Sequence, residues 1–230
     1  MSRHMKRLTM PRSWPVARKT ATWAMKPLPG PYGEERSMSL MMVLRDLLGL
    51  ANTAREAKLI IRSGSVFVDN SVEREPKLPV GIMSTLKVPA MDLTRIMLID
   101  RSGKLSLVEV DGSKAKTKLC KIEGKSTIKK GKTQLNLHDG RCIVHEIDEG
   151  DRVGDTLKIE LPSQKIVKRY PLKEGSFGLV TGGKHVGQIS RIVSVSDGTF
   201  SSPPIVGLEG FSTVKRHVLV VGDIAPEVSL

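Results

Sequence analysis

The sequence predicts an α+β chain assembled from several small modules, and three observations carry that prediction. Residues 1–38 are a basic arm, broken by prolines and expected to be extended. Helical periodicity is confined to one unit within 39–92. Beyond it the texture changes to short alternating runs between turn residues, which read as antiparallel β structure. They divide into a lysine-rich β section at 93–172 and a small β-barrel at 173–230.

Within the arm, Met1–Gly33 holds seven Lys/Arg (Arg3, Lys6, Arg7, Arg12, Arg18, Lys19 and Lys26) and no Asp or Glu. Pro11, Pro15, Pro27, Pro29 and Pro31 break the amphipathic helix that a transit peptide needs. A signal peptide's apolar core is not visible either, so the arm is expected to be part of the working protein. A segment of this composition cannot bury enough surface to fold alone. Trp14, Trp23 and Tyr32 therefore leave two uses open. The aromatics stack on unpaired bases while the cations neutralise phosphates, or the indoles dock on the chain's own globular part.

The helical unit begins with Leu40, Val43, Leu44, Leu47 and Leu48 at helical spacing, followed by Gly49 at the position where a left-handed residue ends a helix. A second helix opens at Thr53 with Glu56 three residues on, a capping-box pattern. Ala54, Ala57 and Ile61 share one side of it. Arg55, Lys58 and Arg62 group on the other, where like charges repel slightly unless an anion docks against them. Ser65–Val68 reads as a strand closed by the turn Asp69-Asn70.

Pro76–Gly81 reads as a loop and Leu86–Val88 as a returning strand. The strands expected next are Arg95–Asp100, Lys104–Val110, Thr117–Ile122, Thr133–Leu137, Arg141–Ile147, Thr156–Leu161 and Lys165–Leu172. Lys114–Lys132 carries eight lysines against the single acid Glu123. Lysine is a hydrated point charge suited to phosphate, so Lys114, Lys116, Lys118, Lys129, Lys130 and Lys132 are candidate backbone contacts. A merely solubilising hairpin is the alternative. In the last section Ser176–Thr181 and Gln188–Val195 read as strands around the glycine-rich bend Gly182–Gly187. After Ser196 four acids (Asp197, Glu209, Asp223, Glu227) face Lys215 and Arg216, which makes that end a poor phosphate contact.

A formal charge of +13 and a pI near 9.9 call for a polyanionic partner. No apolar run approaches the roughly 18 residues of a membrane span, so RNA or DNA is favoured over lipid. Cys120 and Cys142 lack CxxC spacing, which suits a reducing compartment. Cys120, His138, Cys142 and His145 make a poor zinc set, because residues three apart on a strand leave opposite faces. Asp148-Glu149-Gly150-Asp151 lacks the ligand spacing of a calcium loop, and Gly182-Gly183-Lys184 is followed by His where a Walker loop needs Ser or Thr. No hydrolase or dinucleotide motif occurs, so no metal, cofactor, small-molecule substrate or catalytic residue is expected.

Two helices followed by Gly64-Ser65-Val66-Phe67-Val68-Asp69-Asn70 resemble the alpha-L RNA-binding module. Gly182-Gly183-Lys184-His185-Val186-Gly187-Gln188-Ile189 resembles the KOW motif, with Ser190 where a second glycine is usual. Gly140-Arg141-Cys142-Ile143 lacks the aspartate of the Gly-Arg-Leu-Asp carried by pseudouridine synthases. The order of these parts, and the arm sequence WPVARKTATWAMKPLPGPY, are similar to the small-subunit ribosomal protein S-four family of archaeal and eukaryotic type, archaeal members above all.

The resemblance implies a structural constituent of the small ribosomal subunit, located in the cytoplasm, that binds ribosomal RNA beside neighbouring ribosomal proteins and supports assembly and translation. It implies an arm threaded between RNA helices, Arg45, Arg55, Lys58 and Arg62 facing phosphates, and Lys184 with His185 on the KOW loop. The alternatives are a KOW-containing transcription or translation factor and an accessory protein of an RNA-modifying enzyme.

Overall fold

A computed structural model of the chain describes residues 4–112, 114–145, 150–199 and 202–222, with the backbone alone at Lys114 and Lys130. The chain forms two compact units: Met1–Ile99 with Gly103–Lys118, and Asp100–Ser102 with Leu119–Leu230. Most of its regular structure is antiparallel strand, with few helices.

In the first unit the arm folds back on itself. Met5–Lys6 pairs antiparallel with Trp23–Ala24, so that Met5 and Ala24 face inward while Lys6 and Trp23 face out. Met10 and Trp14 are buried, and the Trp14 indole N–H donates to the Ser37 carbonyl at 2.8 Å. The expectation of an extended arm fails for a physical reason. The segment cannot fold alone, but the globular part supplies the apolar surface that it lacks. Ser37–Ser39 then pairs with Pro79–Gly81. The Tyr32 ring lies so close over Gly81 that a Cβ there would sit 2.4 Å from it, which only glycine permits.

The first helix starts as an α turn, Leu40–Met42, and widens into a π turn over Val43–Leu47. Leu40 to Leu44 are fully covered, whereas Leu47 and Leu48 are half-buried, because the wider turn breaks the 3.6-residue phase. Gly49 ends it at φ +65°. The second helix, Ala54–Arg62, opens with the capping box: the Thr53 side chain accepts from the Glu56 N–H while the Glu56 carboxylate accepts from the Thr53 N–H. Ala57 and Ile61 are buried under it.

Phe67–Val68 and Ser71–Val72 form a hairpin whose turn residues Asp69 and Asn70 have φ +51° and +61°, the left-handed pair a tight turn requires. These strands belong to a five-stranded antiparallel sheet ordered Ser71–Val72, Phe67–Val68, Thr85–Val88, Leu93–Ile99, Leu105–Glu109. A boundary at 92/93 thus falls inside one sheet. The turn Pro89–Met91, closed by Asp92 at φ +48°, reverses the chain between two paired strands.

The second unit holds two five-stranded sheets. One is ordered Cys142–His145, Thr133–Leu137, Thr117–Thr127, Thr156–Glu160, Ile166–Tyr170, around a core of Cys120, Ile122, Leu135, Leu137, Leu157, Ile159 and Leu161. The other is an antiparallel half-barrel ordered Phe211–Val214, Ile205–Leu208, Ile189–Ser196, Phe177–Val180, Val218–Gly222. Among the described residues no pairing joins its two outer strands, so the expected barrel is open. The Val220 N–H donates to the Thr156 hydroxyl at 3.1 Å, binding the half-barrel to its neighbouring sheet.

Candidate nucleic-acid interface

The second helix brings its cations together as the spacing requires. Arg55 and Arg62 are exposed, Lys58 is half-buried, and all three line an open groove with Thr53, Glu56 and Leu59. Glu56, the groove's one acid, is engaged at the helix cap. Bonds from the Asn52 and Thr53 N–H groups hold its carboxyl below the ordinary carboxylate range. Leu59 is 72% exposed between the cations, an apolar surface without a protein cover. Exposed Arg74, which the sequence pattern does not single out, joins this set. It lies within 3.5 Å of where a Gly64 Cβ would stand, beside the end of the same helix. Nothing in its local pattern marks it, since its place beside the helix end comes from packing of the hairpin on that helix, a tertiary feature.

Lys6, Arg12, Lys19 and Trp23 are exposed on the arm, and Arg18 and Lys26 are half-buried. Arg3 lies outside the described residues. Two arm residues expected at the interface turn inward. Arg7 is 6% exposed, with its Nε donating to the Ala17 carbonyl at 2.6 Å and its Nη2 to Asp46 at 3.2 Å. Trp14 is the buried anchor already described. Asp46 also holds Arg45 at 2.7 Å, which leaves that guanidinium half-buried and partly neutralised.

The lysine run is divided. Lys116 and Lys129 are exposed and Lys132 is half-buried, while the side chains of Lys114 and Lys130 lie outside the description. Lys118, expected at the interface, turns inward. Its side chain is fully buried, its ammonium 2.6 Å from the Asp69 carboxylate and 2.9 Å from the Tyr32 hydroxyl. Asp69 accepts in addition from the Thr85 N–H at 3.0 Å. Burial pushes the Tyr32 phenol up, more than the nearby lysine lowers it. Lys121 donates to the carbonyls of Lys215 and Arg216, and Lys125 to that of Asp151. Lys118 and Lys121 lie within the run Thr117–Ile122, already read as a strand, and that placement was the available signal for inward use.

On the half-barrel Lys184 is exposed, and His185 stacks on Phe211 with ring centroids 4.2 Å apart and planes 17° off parallel. Gly182 lets the His217 ring approach to where its Cβ would be, 2.6 Å away. The four candidate metal ligands do not assemble as a set. Cys120 and His138 instead meet Asp139, their ligand atoms within 4.8 Å of one another; the Cys120 thiol donates to Asp139 at 3.4 Å, and His138 Nδ1 accepts from the Lys121 N–H at 3.1 Å. Arg141 neutralises the carboxylate at 3.5 Å. The Cys142 thiol donates elsewhere, to Asn136 at 3.3 Å.

Fold and surface define a class first: a β-rich protein that presents cations from arm, helix and loop, suited to a polyanion. Comparison with known proteins then gives the family. The family model "Ribosomal family S4e" matches residues 94–166, and the model "RS4NT (NUC023) domain" matches residues 1–33. "Small ribosomal subunit protein eS4" of Methanothermobacter thermautotrophicus is 42% identical over 233 residues, covering 99% of this chain and 96% of its own length. The protein of the same name from Methanocaldococcus jannaschii is 41% identical over 241 residues, covering 99% and 97%. The crystal structure of the 30S ribosomal protein S4e from Thermoplasma acidophilum superposes with a TM-score of 0.73 at 32% identity, over 82% of this chain and 96% of that one.

The chain belongs to ribosomal family S4e. It is a structural protein of the small ribosomal subunit and not an enzyme.

Proposed function

We propose that this chain binds small-subunit ribosomal RNA by charge neutralisation from three faces, and so takes its place beside neighbouring ribosomal proteins in the cytoplasm. The helix pair and hairpin within 39–92 act as an alpha-L module and the half-barrel within 173–230 as a KOW module, with the lysine-rich strands between them in sequence. The faces are the arm (Lys6, Arg12, Lys19, with Arg18 and Lys26 at its margin), the second helix (Arg55, Lys58, Arg62, joined by Arg74), and the loop bearing Lys184 and His185. Exposed Lys116 and Lys129 extend the set. The helix groove carries this reading: three cations gather round an exposed leucine, and the adjoining acid is committed to the cap.

Each phosphate met releases a condensed counterion. Six to ten contacts make affinity fall by about 10³–10⁵ between 50 and 200 mM salt. Binding of the purified chain to protein-free small-subunit RNA across that range is the test, and an affinity independent of salt refutes it. Arg55→Glu with Arg62→Glu lowers RNA affinity and flattens the salt slope while leaving the melting temperature nearly unchanged. A large fall in melting temperature instead makes the stripe structural.

A further inference from the structure

The two tryptophans of the arm have different environments. Trp14 is 2% exposed and held by Ser37, whereas Trp23 is 57% exposed on the outer face of the Met5–Lys6/Trp23–Ala24 ribbon. Lys6 is its direct cross-strand partner, and antiparallel partners stand about 4.5–5.5 Å apart at Cβ. The His4 ring meets the indole edge-on at 6.0 Å. Leu8, 63% exposed, follows in the next turn, and Arg18 is drawn to it by a 3.0 Å bond to the Leu8 carbonyl.

An indole left more than half in water on a paired ribbon is an open apolar surface held in a fixed place. The ribbon's other face is closed by Met5, Ala24 and the buried Arg7, so the platform exists before any partner arrives. A protein partner and an unpaired base both fill such a surface, and the surrounding charge separates them. From Met1 to Gly33 the chain holds seven cations and no acid. A protein surface opposite would need to be acidic, whereas a nucleotide brings its phosphate together with its aromatic face.

We propose that Trp23, framed by His4, Lys6, Leu8 and Arg18, is a stacking platform for one unpaired nucleotide of the small-subunit RNA, and that Trp14 serves only to hold the platform in place. The inference rests on the RNA-binding reading above and adds to it the mode of contact. Stacking on an aromatic side chain has a recognisable signature. It depends on the ring and not on charge, tolerates any base, and quenches indole fluorescence.

The experiment compares the full-length chain with Trp23→Ala and Trp23→Phe for binding to protein-free small-subunit ribosomal RNA. Trp23→Ala is expected to weaken binding about 5- to 150-fold, the range of alanine substitutions at stacking aromatics, with salt slope and melting temperature unchanged. Trp23→Phe recovers most of the affinity. RNA quenches the wild-type emission, and most of that quench is lost in Trp23→Phe. Wild-type affinity in Trp23→Ala overturns the platform, as does a phenylalanine variant no better than alanine. Normal RNA binding by Trp23→Ala, with failure to retain purified neighbouring proteins, assigns the surface to protein and also overturns it. If the wild-type chain itself shows no salt-dependent RNA binding, the functional reading beneath it falls instead.

Discussion

Replacing Lys118 with methionine separates a structural cation from an interface cation. Methionine nearly matches the aliphatic stem in volume but leaves the Asp69 carboxylate facing a thioether. At 2.6 Å the pair attracts by about 6 kcal/mol for an effective dielectric near 20, and desolvation of both groups offsets much of that. The cost of removing one partner is therefore not the pair's net value. It is the cost of stranding a charge, about 3–5 kcal/mol. The Tyr32 hydroxyl also loses its neighbour at 2.9 Å. With a urea m-value near 2 kcal/mol/M, the midpoint of the first unit's transition moves down by about 2 M. Equilibrium urea unfolding followed by circular dichroism measures it. Adding Asp69→Asn to Lys118→Met recovers part of the loss, because the stranded charge is then gone while asparagine still tolerates the left-handed turn and can accept from the Thr85 N–H. A loss below about 1 kcal/mol, with the RNA salt slope reduced by about one phosphate, refutes the buried pair and returns Lys118 to the interface.

Further outcomes follow from the same contacts. Trp14→Ala empties a buried site and removes the bond to Ser37, lowering stability by about 3–5 kcal/mol; partial proteolysis then cuts within residues 4–28, which resist it in the parent. Thr53→Ala removes half of the capping box and costs about 0.5–2 kcal/mol in urea unfolding, with RNA affinity little changed. Because its cap lowers the Glu56 pKa in the folded state, the stabilisation is complete above the ordinary value near 4.5 and disappears as pH falls through the lowered one. Acid titration of Glu56→Gln beside the parent shows this as a smaller pH dependence from the ordinary value near 4.5 downward. Burial raises the Tyr32 pKa, so its contribution is intact below the usual 10.0 and is lost as pH climbs from there through the raised value. Absorbance titration of the Tyr170→Phe variant, where Tyr32 is the remaining phenol, reads it directly.

Local patterns proved legible where the cause of structure is local. The capping box at Thr53, the left-handed Asp69-Asn70 turn and the alternation of Thr133–Leu137 each depend on neighbours in sequence, and each occurs as read. The strands Ile205–Leu208, Phe211–Val214 and Val218–Gly222 are hard to read from sequence: Pro203-Pro204 and scattered polar residues obscure the first two, and the third is a continuous apolar run without alternation. Tertiary causes were harder to see. Whether an arm tryptophan is covered depends on surface supplied by the distant Ser37–Ser39 strand, and nothing around Trp14 distinguishes it from Trp23. Lys118 was legible in principle, as a cation inside an apolar strand, but the partner that makes its burial tolerable lies 49 residues away.

Moving cations into the interior does not weaken the electrostatic argument for an RNA partner. Each inward cation described here is matched by an acid withdrawn with it or by backbone carbonyls: Arg7 and Arg45 with Asp46, Lys118 with Asp69, Arg141 with Asp139, Lys121 with two carbonyls. These five cations withdraw three acids with them, since Arg7 and Arg45 share Asp46 and Lys121 meets only carbonyls, so about +11 of the chain's formal +13 is still carried by the groups that remain outside. With an aromatic content of only 3%, the chain has few large rings with which to fill its interior, and the Lys118 ammonium lies 5.6 Å from the centroid of the Tyr32 ring. The salt slope of RNA binding therefore reports how many outer cations meet phosphate, and a variant such as Lys118→Met with Asp69→Asn, neutral in sum, leaves that slope where it was.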